Sequence, residues 1–163
     1  MKSIIRGLCL LTLLCGPLGA EEIKRMSLDD AAALGTTIQT DLAEKTEGRG
    51  SVRITTRHPT TVCIGEVEGL DVENARLVYA AAVKSDLAGS AYLEMWAFVG
   101  QGQYFSKGLT DPIEGKSDWK TLQTPFLFKK GQRPKKVTLN LVINGRGTVW
   151  IDEVRLHKKA LDQ

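Results

Sequence analysis

Short runs in which apolar and polar residues alternate make up most of the chain after residue 50. In the run Ser51–Thr56, Val52 and Ile54 fall on one side and Arg53 and Thr55 on the other. Because successive side chains of a β-strand point to opposite faces, this pattern predicts a strand with one buried face. Eight such segments, separated by Gly, Pro, Asn, Asp and Ser, predict an all-β fold, an antiparallel β-sandwich. The segments are residues 51–56, 61–69, 75–84, 91–98, 103–108, 118–128, 136–143 and 148–156.

Helical patterning is confined to residues 27–35. Ser27 is a candidate N-cap, Asp30 follows three residues later, and Gly35 is a stop signal. These signals predict either two helical turns or an irregular segment that leads into the strands. No internal repeat interrupts the pattern, so we expect a single domain over residues 21–163, with its core at about 25–157.

The first twenty residues have the build of a secretory signal peptide. Lys2 and Arg6 precede an apolar stretch from Gly7 to Cys15, and small residues lead up to Ala20. The apolar stretch is too short for a membrane span. We therefore expect cleavage after Ala20, export to the periplasm or the medium, and no membrane span in the mature chain.

Removal of the signal peptide changes both the charge and the cysteine count. Lys2 and Arg6 leave with it, so 22 basic residues become 20 against 19 acidic ones, a formal balance of +1. A charge so close to zero predicts no nucleic-acid partner. Cys63 is the single remaining cysteine, which excludes an intramolecular disulfide. Its apolar neighbours predict a small buried side chain rather than a nucleophile.

Two adjacent carboxylates, Asp152 and Glu153, interrupt the alternation of the last segment. Neighbouring residues of a strand point to opposite faces, so the pair is not expected to act together as a catalytic pair. Val149 and Ile151 precede the acids on one face, and Val154 and Leu156 share that face only if the strand slips by one residue. The acids therefore predict a β-bulge. Since no metal-ligand or phosphate-loop motif is present either, we expect no enzyme activity.

Several segments, taken in order, resemble the galactose-binding-like β-jelly-roll domains and are similar to bacterial carbohydrate-binding modules. A glycine-rich turn, Gly48 to Ser51, comes first, Trp119 opens a later strand, and Trp150 to Leu156 has the closing pattern aromatic-Ile-Asp-Glu-Val-x-Leu. The resemblance covers residues 25 to 157. It implies a two-sheet antiparallel jelly-roll sandwich, no catalytic machinery, and a glycan bound on the concave outer face or at the loops. It also implies that no cofactor is required beyond an optional structural calcium ion, with Asp152 as its metal ligand.

The segment 91–98 carries the most informative pattern for binding. Alternation places Tyr92, Glu94 and Trp96 on one face and Leu93 and Met95 on the other. Aromatic rings stack on the C–H faces of a sugar, and a carboxylate accepts hydrogen bonds from its hydroxyl groups. The alternative is that the aromatic residues form the core with Glu94 buried among them. An unpaired buried carboxylate costs several kcal/mol, which favours the outer face.

Polar residues on other predicted strands are further candidates for carbohydrate binding on this face: Arg53, Gln123 and Asn140. Tyr104 and Phe105 are expected to pin down a long glycine-rich loop rather than to line a site. The sequence thus predicts an exported, non-catalytic module that binds a glycan. The alternative is a structural or protein-interaction domain of the cell envelope with no sugar ligand, because aromatic and polar surfaces also suit protein partners.

Overall fold

The computed structural model describes residues 20–26 and 38–161, and in those ranges the regular elements are eight β-strands and no helix. The prediction of an all-β antiparallel sandwich is confirmed. No described segment is a helix that could cross a membrane. The predicted signal peptide and the segment 27–35 lie outside the described residues, apart from Ala20. The strands are β1 (Glu21–Met26), β2 (Ile38–Asp41), β3 (Ser51–Thr56), β4 (Thr60–Glu68), β5 (Ala75–Val99), β6 (Gly102–Lys107), β7 (Ile113–Phe128) and β8 (Pro134–Ala160).

Two long antiparallel strands, β5 and β8, organise the molecule. They pair from Ala75 opposite Ala160 to Val99 opposite Pro134, and each contributes one half to each of two sheets. The first sheet has the order β6, β5 (residues 91–99), β8 (residues 134–143) and β4. In the second sheet β7 pairs with residues 75–91 of β5, and the later half of β8 pairs with β3 and with β1. β2 extends this sheet beyond β3.

Glycines allow β5 and β8 to pass from one sheet to the other without a break. Gly89 lies opposite Gly145, and Gly147 follows with a φ of 134°. A Cβ atom on Gly147 would lie 2.2 Å from the carbonyl oxygen of Asp86, so no side chain fits there. The two strands therefore bend together at a point where the sequence pattern predicted four separate strands.

The core lies between the two sheets. Leu93 and Met95 of the first sheet and Leu77 and Tyr79 of the second are fully buried in one cluster. The inward residues of β8 belong to the same cluster, which shows that both sheets pack face to face. These inward residues are Val137, Leu139, Leu141, Ile143, Val149, Ile151, Val154 and Leu156.

The β-bulge predicted at the paired acids is confirmed. Ala80 pairs with Arg155 and Ala82 with Asp152, so β8 contains one residue more than β5 between these positions. Glu153 has a φ of 50°, the left-handed conformation that the first residue of such a bulge adopts. The slip keeps the apolar residues on both sides of the acids facing the core.

Candidate functional site

The outer face of the first sheet, which we call the aromatic face, presents aligned rows of side chains from four strands. Across the strands, Lys107 of β6 lies opposite Glu94 of β5, which pairs with Asn140 of β8 and then Cys63 of β4. The neighbouring row runs from Phe105 through Trp96 to Thr138 and Glu66. Neighbouring strands lie about 4.8 Å apart, so one row spans roughly 14 Å.

The predicted inward and outward assignments in segment 91–98 agree with this structure. Leu93 and Met95 face the core with no exposed surface, and Tyr92, Glu94 and Trp96 project from the other face. Trp96 is half-buried, whereas Tyr92 and Glu94 are buried, with 7% and 6% of their surface exposed. The aromatic face therefore presents the Trp96 indole to solvent, whereas the Glu94 carboxylate lies below the surface.

Glu94 is paired on several sides, which explains how an acid is tolerated at low exposure. Its Oε1 accepts hydrogen bonds from Trp96 Nε1 at 2.7 Å and from Asn140 Nδ2 at 3.1 Å. Lys107 Nζ lies 3.4 Å from Oε2. A buried carboxylate is stable when it is paired and hydrogen-bonded in this way. The same bonds fix the orientation of the Trp96 indole and of the Asn140 amide.

Phe105 extends the aromatic surface to the edge strand β6. Its ring centroid lies 5.2 Å from that of Trp96 with the planes tilted by 48°, and 56% of its surface is exposed. The ammonium group of Lys107 lies 5.1 Å from the Phe105 ring centroid. Phe105 lies on the strand predicted at residues 103–108 and packs against Trp96, so it borders the aromatic face, and its expected role in pinning down the loop stays a prediction. Alternation within β6, which places Phe105 and Lys107 on one face, is the signal that could have found both residues.

Charges at the end of the aromatic face near β4 are mutually compensated. Lys136 Nζ lies 2.8 Å from Glu66 Oε1 and 5.1 Å from the ring centroid of Phe98. The Lys136 hydrogen bond lowers the pKa of the Glu66 carboxyl, and Glu66 in turn raises the pKa of Lys136. Cys63 is exposed, which corrects the prediction of a buried thiol. The pKa of its thiol is raised, mainly because the thiol is partly buried and to a smaller extent because the charge of Glu66 is nearby.

Arg53 and Gln123 do not belong to the aromatic face. Arg53 lies on β3 opposite Trp150, and Gln123 lies on β7 opposite Ala80, so both project from the outer face of the second sheet. Arg53 donates a 2.6 Å hydrogen bond to Gln39 there. Their assignment to one site with Trp96 is corrected, because alternation gives the face of a strand but not the sheet to which the strand belongs.

Asp152 anchors the segment between β2 and β3. Its Oδ2 accepts hydrogen bonds from the backbone N–H of Thr46 at 2.7 Å, the Thr46 hydroxyl at 2.9 Å and the backbone N–H of Glu47 at 3.1 Å, and Oδ1 accepts one from Glu153 N–H at 2.8 Å. Calcium requires a shell of oxygen ligands, whereas the groups described around Asp152 are donors. Within residues 20–26 and 38–161, no three His, Cys, Asp or Glu side chains are grouped to hold a metal. These residues do not fit a calcium site, and the predicted ion stays a prediction.

Comparisons with solved structures agree with the fold. A family 22 carbohydrate-binding module with its xylanase domain, from Clostridium thermocellum and complexed with xylohexaose, superposes with a TM-score of 0.63 at 12% identity, over 86% of this chain and 29% of that one. The xylan-binding family 22 module of Paenibacillus barcinonensis xylanase 10C gives 0.57 at 14% identity over 90% and 100%. A family 16 carbohydrate-binding module gives 0.54 at 9% identity over 75% and 86%. The chain has the β-sandwich fold of these modules.

Sequence comparisons do not assign the chain to a family. No family model matches the chain, and no curated protein matches it. The chain also spans less than a third of the xylanase structure with which it superposes, which contains a catalytic module as well. The likeness therefore establishes the architecture, and the chemistry of the site rests on the side chains described above.

Proposed function

We propose that the protein is an exported, non-catalytic module that binds a polysaccharide on the aromatic face. The observation that carries the proposal is the union of Trp96, Glu94 and Asn140 in one hydrogen-bonded group beside the exposed ring of Phe105. The rings supply apolar surface for the C–H faces of a sugar. Lys107, with 35% of its side chain exposed, supplies donors for the hydroxyl groups of the sugar, and the buried Glu94 carboxylate orients the Trp96 indole and the Asn140 amide.

The solved modules support the choice of ligand. Two of them carry xylan or xylohexaose in their names, and this chain shares their fold. Xylan is therefore the first polysaccharide to test. The N-terminal sequence supports export, and β1 begins at Glu21, so cleavage after Ala20 would leave the whole strand in place. Mass spectrometry of the protein recovered from the periplasm after expression of the full chain checks this, because its molecular mass shows whether the chain is cleaved after Ala20.

Replacement of Trp96 tests the binding face. The change Trp96→Ala removes the ring that would stack on the sugar. Burial of such a ring contributes about 1.5–3 kcal/mol to the binding free energy, so its loss weakens binding by roughly tenfold or more. Affinity electrophoresis in gels containing soluble xylan measures the dissociation constant. We expect Gln123→Ala, an exposed change on the second sheet, to retain wild-type affinity.

Equal retention of the Trp96→Ala and wild-type proteins would contradict the site. Absence of wild-type binding to xylan and to a panel of other soluble polysaccharides would contradict the function itself. In that case the exposed rings of Phe105 and Tyr104 favour the alternative, a protein-interaction domain of the cell envelope. Circular dichroism of each variant establishes that the fold is retained.

A further inference from the structure

A cleft of about 460 Å³ opens on the second sheet, on the opposite side of the sandwich from the aromatic face. Lys84 and Trp150 are paired residues of β5 and β8 that project outward there, since their neighbours Val83 and Ile151 face the core. The cleft is bounded by these strands, by β7 and by the segment that follows β2. Its charged and aromatic lining consists of Glu44, Lys84, Asp86, Lys116, Asp118 and Trp150.

The strands that form the cleft are irregular where they meet it. The pairing of β5 with β7 shifts register between Val83 and Ser85 and again between Asp86 and Ser90, and it is regular from Ala75 to Val83. The buried Ser85 hydroxyl donates to the carbonyl oxygen of Gly115 at 2.9 Å and holds the two strands together between the shifts. Bulges of this kind re-aim side chains and are frequent beside binding sites.

The indole of Trp150 forms part of the lining and is held in place from its edge. Its Nε1 donates to Asp41 Oδ2 at 2.9 Å, and this hydrogen bond is the main cause of the lowered pKa of Asp41. Lys84 Nζ lies 5.9 Å from the ring centroid, 2.7 Å from Glu44 and 3.8 Å from Asp118. Glu44 belongs to the segment anchored by Asp152, so one wall of the cleft is fixed.

Two charged side chains of the lining have no hydrogen-bond or ion-pair partner within the described part of the protein. Asp86 and Lys116 face each other across β5 and β7, both are exposed, and neither side chain makes a hydrogen bond or an ion pair with a described residue. Asp118, whose Oδ1 accepts a hydrogen bond from the Trp119 backbone N–H at 2.8 Å, adds a second carboxylate with 87% of its side chain exposed. With two lysines against three acids, the lining carries a formal charge of −1.

We propose that this cleft is a second carbohydrate site, which takes a single uncharged sugar ring. The indole offers an apolar surface, and carboxylates and ammonium groups on both sides offer acceptors and donors for hydroxyl groups. Its volume is in the range of small-ligand sites. Because the lining carries a net negative charge, an anionic sugar is disfavoured. The site does not depend on the aromatic face.

Two-dimensional ¹H–¹⁵N spectra test the cleft directly. The chain has three tryptophans, and each gives one indole N–H signal, which Trp→Phe variants assign. The methyl glycosides of glucose, galactose and xylose serve as probes, with methyl glucuronide as the anionic comparison. We expect at least one neutral glycoside to shift the Trp150 signal saturably in both the wild-type protein and the Trp96→Ala variant.

A double variant, Asp86→Ala with Lys116→Ala, removes the two unpaired groups without breaking a described contact. We expect it to weaken this binding at least tenfold, whereas the matched pair Asp71→Ala with Lys159→Ala leaves it unchanged. The proposal is overturned if no neutral glycoside shifts the Trp150 signal saturably, if the double variant binds like the wild type, or if the glucuronide binds equally well. Loss of xylan binding in Trp96→Ala with the Trp150 response intact separates this site from the aromatic face.

Discussion

Tyr79 lies in the core with its whole side chain buried, and its hydroxyl group has no hydrogen-bond partner in the described structure. A hydroxyl removed from water without a partner costs about 1–3 kcal/mol. The ring itself belongs to the buried cluster between the sheets, together with Leu77 and Leu93. The phenol therefore contributes to packing through its ring and opposes folding through its oxygen.

Replacement of Tyr79 by phenylalanine keeps the ring and removes the unpaired oxygen. We expect Tyr79→Phe to raise the free energy of unfolding by about 1 kcal/mol, as measured by urea denaturation. Tyr92→Phe is the matched control, since Tyr92 lies on the aromatic face, and we expect a change within about 0.5 kcal/mol. A loss of stability in Tyr79→Phe would show that its hydroxyl has a partner in solution.

At the level of the individual strands, the sequence pattern was most informative. The alternation in 51–56 matches the bounds of β3, and the bulge at Asp152 and Glu153 followed from the positions of the apolar residues around it. The continuity of β5 and β8 was missed, because glycines that usually end strands here let two paired strands bend together. β1 and β2 were missed because they are short and lack sustained alternation.

Only the part of the candidate site that lies on a single strand follows from the sequence. Tyr92, Glu94 and Trp96 share one strand, so alternation alone places them on one face. Phe105 and Lys107 reach that face through pairing of β6 with β5, and Arg53 leaves it because β3 pairs in the other sheet. Such partners depend on long-range strand order, which a local pattern does not contain.

The bend in β8 gives a prediction at the level of this element. Gly147→Ala would place a Cβ atom 2.2 Å from the carbonyl oxygen of Asp86, so β5 and β8 would have to separate. We expect a loss of about 3 kcal/mol or more in unfolding free energy, measured by urea denaturation. Gly69→Ala isolates the backbone contribution, because Gly69 has a φ of 69° and open space around it, and we expect a cost of about 1–2 kcal/mol. Equal costs for the two changes would contradict the close approach at the bend.

At the scale of the whole molecule, ion pairs and the core set opposite limits of pH stability. Hydrogen bonds from Trp150, Lys136 and Arg133 lower the pKa of Asp41, Glu66 and Glu73 respectively below their ordinary values of 3.8 and 4.5. Groups with a lowered pKa stabilise the folded state above the ordinary pKa and lose that contribution as the pH falls through the folded value. Burial raises the pKa of Tyr79 above its ordinary value of 10.0, so the unfolded state gains by ionising it at higher pH.

We therefore expect the melting temperature to be nearly constant between about pH 5 and pH 9 and to fall on both sides of this range. Differential scanning calorimetry across pH 2–11 measures the profile. Asp41→Asn flattens part of the acid limb, and Tyr79→Phe flattens part of the alkaline limb, because each removes one of the shifted groups. Unchanged limbs in these variants would assign the pH dependence to other residues.

The pairing of β1 with the end of β8 determines how the module responds to mechanical force. Glu21 lies opposite Lys158 in an antiparallel pair, so β1 begins and β8 ends at the same end of this strand pair. Tension applied between these two ends acts across the strand pair, so its hydrogen bonds break one pair after another instead of all being loaded at once. The first strand would thus detach under low load while the aromatic face, on the other sheet, keeps its shape.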